Sequence, residues 1–104
     1  MHVHEMMTEK IKKAMPDLYA QDGKGKGAIA YVHYFSPWSG WDWYGTEFDG
    51  ADTFFGLVKG FETELGYFSL KELTETTVTL NGVSTHAVER DILWKPRPLS
   101  EIES

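Results

Sequence analysis

Three carboxylates, Glu47, Asp49 and Asp52, fall within a six-residue stretch, and His33 and His86 stand elsewhere in the chain as candidate bases. Acids gathered at one turn can supply oxygen ligands to Mg²⁺ or Ca²⁺. Their spacing, however, lacks the D-x-[DN]-x-[DN]-G pattern and the later glutamate of a calcium loop. The Asp49-Gly50-Ala51-Asp52 segment therefore reads first as a solvated turn, with no metal or cofactor expected. Nucleophilic chemistry has less to work with. The chain has no cysteine, no G-x-S-x-G and no H-E-x-x-H, and Ser39, Ser69, Ser84 and Ser100 each suit a turn or a cap. His33 lies among aromatic residues, where a hydrogen-bonded structural histidine is expected before a catalytic one. His2 and His4 have the alternation of a strand-borne metal pair but sit at a chain end, which reads as a flexible terminus over residues 1–7. No catalytic residue is assigned, and the chain is expected not to be an enzyme.

Binding chemistry is better represented. Trp38, Trp41 and Trp43 are crowded together, and tryptophan is seldom wholly buried, so a ring edge is expected at the surface beside carboxylates. Thirteen of the fifteen aromatic residues lie in 31–68, and residues 42–75 hold eight acids against Lys59 and Lys71, which accounts for the whole net charge of −6. An acidic, aromatic surface suits a protein partner rich in Arg or Lys. The residues expected to contact it are Trp38, Trp41, Trp43, Glu47, Asp49, Asp52, Glu62 and Glu64.

The same balance argues against nucleic acid. Lys10, Lys12, Lys13, Lys24 and Lys26 are accompanied by enough acids, Glu5 included, to leave that region at only +1. Mimicry of DNA is also a poor match. Duplex DNA carries a charge per roughly 1.7 Å of axis, a density that acids interrupted by lysines do not reproduce. In the glycine-rich AQDGKGKG connector, Gly23, Gly25 and Gly27 suit positive φ, but the Walker spacing is missing and a flexible loop is expected.

The elements that must position these residues follow from periodicity. With 104 residues the chain suits one domain, 1–104, with its core over about 8–101. Thr8 caps a helix over 9–15, and Pro16 ends it. Strands are predicted near 28–35, 41–48, 53–60, 66–70 and 87–94. In the first, Ile29, Tyr31, His33 and Phe35 face one way and Ala30, Val32 and Tyr34 the other; in the second, Trp41, Trp43, Gly45 and Glu47 oppose Asp42, Tyr44, Thr46 and Phe48. Gly56 and Gly60 predict a bulge or a ring lying over the backbone. Residues 62–66 read as a turn, Ser69 and Glu72 have capping-box spacing, and Asn81-Gly82 predicts a type I′ hairpin over 76–86. The fold class expected is α+β, an antiparallel meander of about five strands with the N-terminal helix packed on it. No apolar segment reaches the roughly 20 residues of a membrane span. With no cysteine to staple the domain, a cytoplasmic location is expected.

Residues 16–21 (PDLYAQ), 41–49 (WDWYGTEFD), 52–73 (DTFFGLVKGFETELGYFSLKEL), 89–92 (ERDI) and 96–101 (PRPLSE) together resemble the bacterial family called domain of unknown function 2958. The likeness runs from about residue 12 to 101. It departs at MHVHEMM, at GKGKG and at the Asn81-Gly82 hairpin, where the family has a shorter connection. The resemblance implies a small intracellular accessory protein of a plasmid, phage or integrative element, with an anti-defence role of the antirestriction or anti-CRISPR type as one form of it. Two alternatives stand beside a non-catalytic protein-binding module: a nucleic-acid-associated regulator of the element, and a small metal-assisted enzyme using Glu47, Asp49 and Asp52.

Overall fold

The structure, a computed structural model, describes residues 5–102. The first helix, α1 (Glu9–Ala14), starts where Thr8 turns its hydroxyl to the Ile11 N–H, and ends against Pro16. After the connector, β1 (Ile29–Ala30), β2 (Val32–Phe35), β3 (Asp42–Phe48), β4 (Thr53–Lys59) and β5 (Thr63–Ser69) follow in turn. Ser69 then caps α2 (Leu70–Glu75) by accepting from the Glu72 N–H. The hairpin β6 (Thr77–Leu80) and β7 (Val83–His86) precedes two short strands, β8 (Glu89–Arg90) and β9 (Arg97–Pro98). The main sheet is antiparallel in the order β5-β4-β3-β2-β8, and β1 pairs separately with β9. The fold is α+β.

The two faces of the sheet are covered differently. On one face Val32, Tyr34, Phe48 and Phe54 form the main core under Met15 of the helical segment, Leu73 of α2 and Val88. Phe54 stacks on Phe68 at 4.9 Å centroid spacing and meets Tyr34 edge-on. Burying each such side chain contributes about 1.5–3 kcal/mol. On the other face Tyr44 packs with Ala28, Ala30 and Leu99, backed by Leu57 of β4 and by Trp94 and Ile102 of the C-terminal segment. That second layer stops short, leaving Leu65 and Tyr67 of the β5 edge exposed.

Several sequence expectations are corrected. The first strand breaks at Tyr31, whose N–H donates to the Gly45 carbonyl, so Tyr31 packs with the helix-side core and Ala30 with the opposite layer. Directly across, β3 bulges: Gly45 pairs with Gly56 and Glu47 with Phe55, leaving Thr46 as an extra residue. An extra residue reverses the alternation beyond it. Phe48 therefore enters the main core with Trp43, while Glu47 is carried to the side of Tyr44. Residues 63–66 belong to β5 rather than to a turn, because Thr63 pairs with Lys59 and Gly66 with Gly56. The strand expected over 87–94 shrinks to β8, since the chain leaves the sheet at Asp91 to lay Trp94 over it. Nor are residues 5–7 a loose terminus. Met6 and Met7 pack on the core, and the carbonyls of Glu5 and Met6 accept from Arg90 and the Tyr34 hydroxyl. His2 and His4 lie outside the described residues.

Gly56 and Gly66 are cross-strand partners with opposite tolerances. A Cβ on Gly56 would stand 1.8 Å from the Tyr44 carbonyl oxygen, whereas one on Gly66 meets nothing within 4 Å. Gly56→Ala is expected to cost about 3 kcal/mol or more, and Gly66→Ala to be neutral or stabilising by about 0.4–1 kcal/mol. Urea denaturation of the two variants checks this, and equal midpoints would refute the assigned register.

Candidate functional site

The bulge creates an extended polar site between the sheet and the connector. Thr46 donates its hydroxyl to the Phe55 carbonyl, and its own carbonyl accepts from the buried Gln21 side chain. The Gln21 amide also bridges to both backbone groups of Ile29. Glu47, only 3% exposed, receives the N–H groups of Tyr19 at 2.7 Å and Gln21 at 2.8 Å, one on each carboxylate oxygen. These bonds hold the connector against the sheet although Tyr19 has a left-handed backbone, φ 73°. Between connector and sheet lies a cleft of about 420 Å³ lined by Tyr19, Asp22, Glu47, Phe55, Leu65 and Tyr67, among others. Tyr67 meets Phe55 edge-to-face at 5.1 Å and donates to the Tyr19 hydroxyl, which holds the Tyr67 proton more tightly than usual.

A second cluster surrounds His33. Its Nδ1 lies 2.9 Å from Asp91 and its Nε2 2.7 Å from Asp42, with the ring stacked on Tyr44 at 4.5 Å. Trp94 packs against both rings, and the Arg97 guanidinium lies over the Trp94 ring, 4.2 Å from its centre. Both imidazole nitrogens thus face carboxylates of the protein itself. The cluster ties β2, β3 and the C-terminal segment together.

The acids expected to act together are dispersed. Glu47 faces inward, while Asp49 accepts the N–H groups of Ala51, Asp52 and Thr53, bonds that pull its carboxyl below the ordinary aspartate range. Asp52 accepts from the Ser69 hydroxyl and the Lys71 N–H, tying the β3–β4 turn to the start of α2. Each carboxylate serves its own backbone donors. Among the described residues no group of three or more His, Asp or Glu is placed to hold a metal ion. Glu62 and Glu64 lie at the opposite end of the seven-residue strands, about 20 Å away.

The tryptophans divide as well. Trp43 is half-buried against the main core, and Trp38 is 52% exposed on the turn before β3. Trp41 lies over Gly60, where its ring atoms approach within 2.6 Å of the position a Cβ would take. It meets Trp43 at 6.0 Å and Phe61 edge-to-face at 5.2 Å. Phe61 is 95% exposed, and with Trp41, Glu62 and Glu64 it borders a shallow hollow. Sequence reasoning missed Phe61 because a phenylalanine in GFETE reads as core until the turn position is known. Gln21 and Tyr19 were missed because they sit beside a glycine-rich loop.

Two predictions follow from this geometry. Asp52→Lys is expected to lower stability by about 1–2 kcal/mol through loss of its capping bonds, whereas Glu64→Lys should stay within about 0.5 kcal/mol. Chemical denaturation distinguishes them, and equal effects would disprove the capping role. Burial, then the charges of Asp42 and Asp91 against the opposing Arg97, push the Tyr44 hydroxyl up to about 12, and burial also raises that of Tyr34. Since an unfolded tyrosine ionises near about 10, the contribution of these protonated hydroxyls is complete below that pH and is lost as pH rises towards 12. Tyrosinate absorbance should therefore show Tyr34 and Tyr44 ionising only together with loss of near-ultraviolet circular dichroism. Their full ionisation in the folded protein would contradict the packing.

The family described as "Protein of unknown function (DUF2958)" matches residues 5–102. No curated protein and no solved structure matches the chain significantly. No helix among the described residues is long and apolar enough to cross a membrane.

Proposed function

The chain belongs to the DUF2958 family, and on the chemistry of its surface we propose that it is a non-catalytic protein-binding module. The observation that carries this reading is Phe61, almost wholly exposed at the β4–β5 turn, held edge-on by Trp41 and flanked by Glu62 and Glu64. An exposed aromatic anchor beside carboxylates suits a partner presenting an apolar notch rimmed by Arg or Lys. The acids steer the approach and the ring supplies the anchor. Of the contact residues expected from sequence, Trp41, Glu62 and Glu64 form this surface, with Trp43 behind it. Asp49 and Asp52 serve the far end, and Glu47 the interior. An intracellular role in a mobile element, including an anti-defence role, is the setting proposed for such a module.

Recovery of partners from a host carrying the gene, compared across variants, tests the reading. A partner retained by the native protein should be lost with Phe61→Ala and weakened, with reduced salt dependence, by Glu62→Lys with Glu64→Lys. Reversal of Lys10, Lys12 and Lys13 should leave it unchanged. Retention by the Phe61 variant and loss in the helix variant would move the surface to α1.

A further inference from the structure

We infer that the cleft between the Tyr19 connector and the open face of β4 and β5 is a binding site for an organic cation, an ammonium or guanidinium group. This site is separate from the Phe61 surface and does not depend on its role. Its walls are aromatic: Tyr67 and Phe55 meet at 65°, making a corner of two ring planes, and the Tyr19 ring joins them through its hydroxyl. Aromatic faces attract cations through their negative quadrupole, most strongly for weakly hydrated ones. The titratable groups lining the cleft other than tyrosine are Asp22 and Glu47, and no lysine, arginine or histidine is among its lining residues.

The acids divide the work. Glu47 is buried in the floor with its two oxygens each receiving one backbone N–H, and no cationic side chain is among the residues lining the cleft. Asp22 is exposed at the rim, where it can meet a cation directly. Neutral rings alone would admit any apolar group; rings beside carboxyl groups favour a positive one. Tyr67 is 56% exposed and Leu65 48%, so the site is open without rearrangement. Its volume of about 420 Å³ accommodates a quaternary ammonium or an arginine head group.

Titration followed by amide resonances tests the assignment, using choline, its uncharged isostere 3,3-dimethylbutan-1-ol, and short capped glycine peptides bearing one arginine or one lysine, at constant ionic strength. Choline or a cationic peptide is expected to shift the amides of residues 19–23, 46–47 and 65–67 saturably, while the isostere does not. Tyr67→Ala and Asp22→Asn should each weaken binding about three-fold or more, and Tyr67→Phe, which keeps the ring, should bind as the native protein does. Both positions are exposed, so the fold is retained, and the remaining amide spectrum verifies it. Tighter binding of a peptide than of choline assigns the cation to a polypeptide side chain, and the reverse order to a free amine. Equal binding of the isostere, unsaturable shifts spread over the acidic surface, loss of binding in Tyr67→Phe, or no effect of Tyr67→Ala would overturn the inference.

Discussion

One extra residue in β3 governs both faces of the molecule. With Thr46 unpaired in the ladder, the side chains beyond it exchange sides, and Phe48 can join the core while Glu47 is delivered to the opposite layer. A bulge leaves backbone groups without strand partners, and in a protein interior these must be met. Gln21 and the Thr46 hydroxyl do so, and no buried side-chain polar atom among the described residues lacks a hydrogen-bond partner. The connector is thus fastened to the sheet by the defect in the sheet. The break at Tyr31 lies against the bulge and bonds to Gly45, so neighbouring strands change sides together.

The fold was largely legible because its signals are local. Thr8 and Ser69 cap helices as their spacing predicts, and Asn81 and Gly82 both take the positive φ of a type I′ turn. The glycine expected to lie beneath a ring does so at Gly60 under Trp41. What failed was non-local. Simple alternation assigns Glu47 to the side of Trp43, and only the pairing of β3 with β4 reveals the added residue. The burial of Gln21 likewise depends on contacts with Ile29 and Thr46, which no window of neighbouring residues contains.

Charge shows the difference between confinement in sequence and confinement in space. The acids of residues 42–75 form one block along the chain, but antiparallel strands send alternate turns to opposite ends. Asp49 and Asp52 become caps at one end, Glu62 and Glu64 a solvated rim at the other, and Asp42 a partner of His33. Like charges placed apart repel less, and those given backbone donors also stabilise turns. The aromatic residues are distributed in the same way: Phe54 and Tyr34 fill the interior, while Phe61 and Tyr67 reach solvent at separate sites.

The β6–β7 hairpin stands outside this economy. Its register is closed by its own turn, from Thr77 with His86 to Leu80 with Val83, and most of its residues face solvent. Its attachment to the body runs through its base, where Ala87 donates to the Thr76 carbonyl and His86 reaches that of Thr74. Because few long-range contacts depend on its length, the loop-closure cost of extending it grows only logarithmically. The ribbon is therefore the natural place to graft a foreign sequence, such as a fluorescent or affinity label, at little expense to the core on which the rest of the molecule is built.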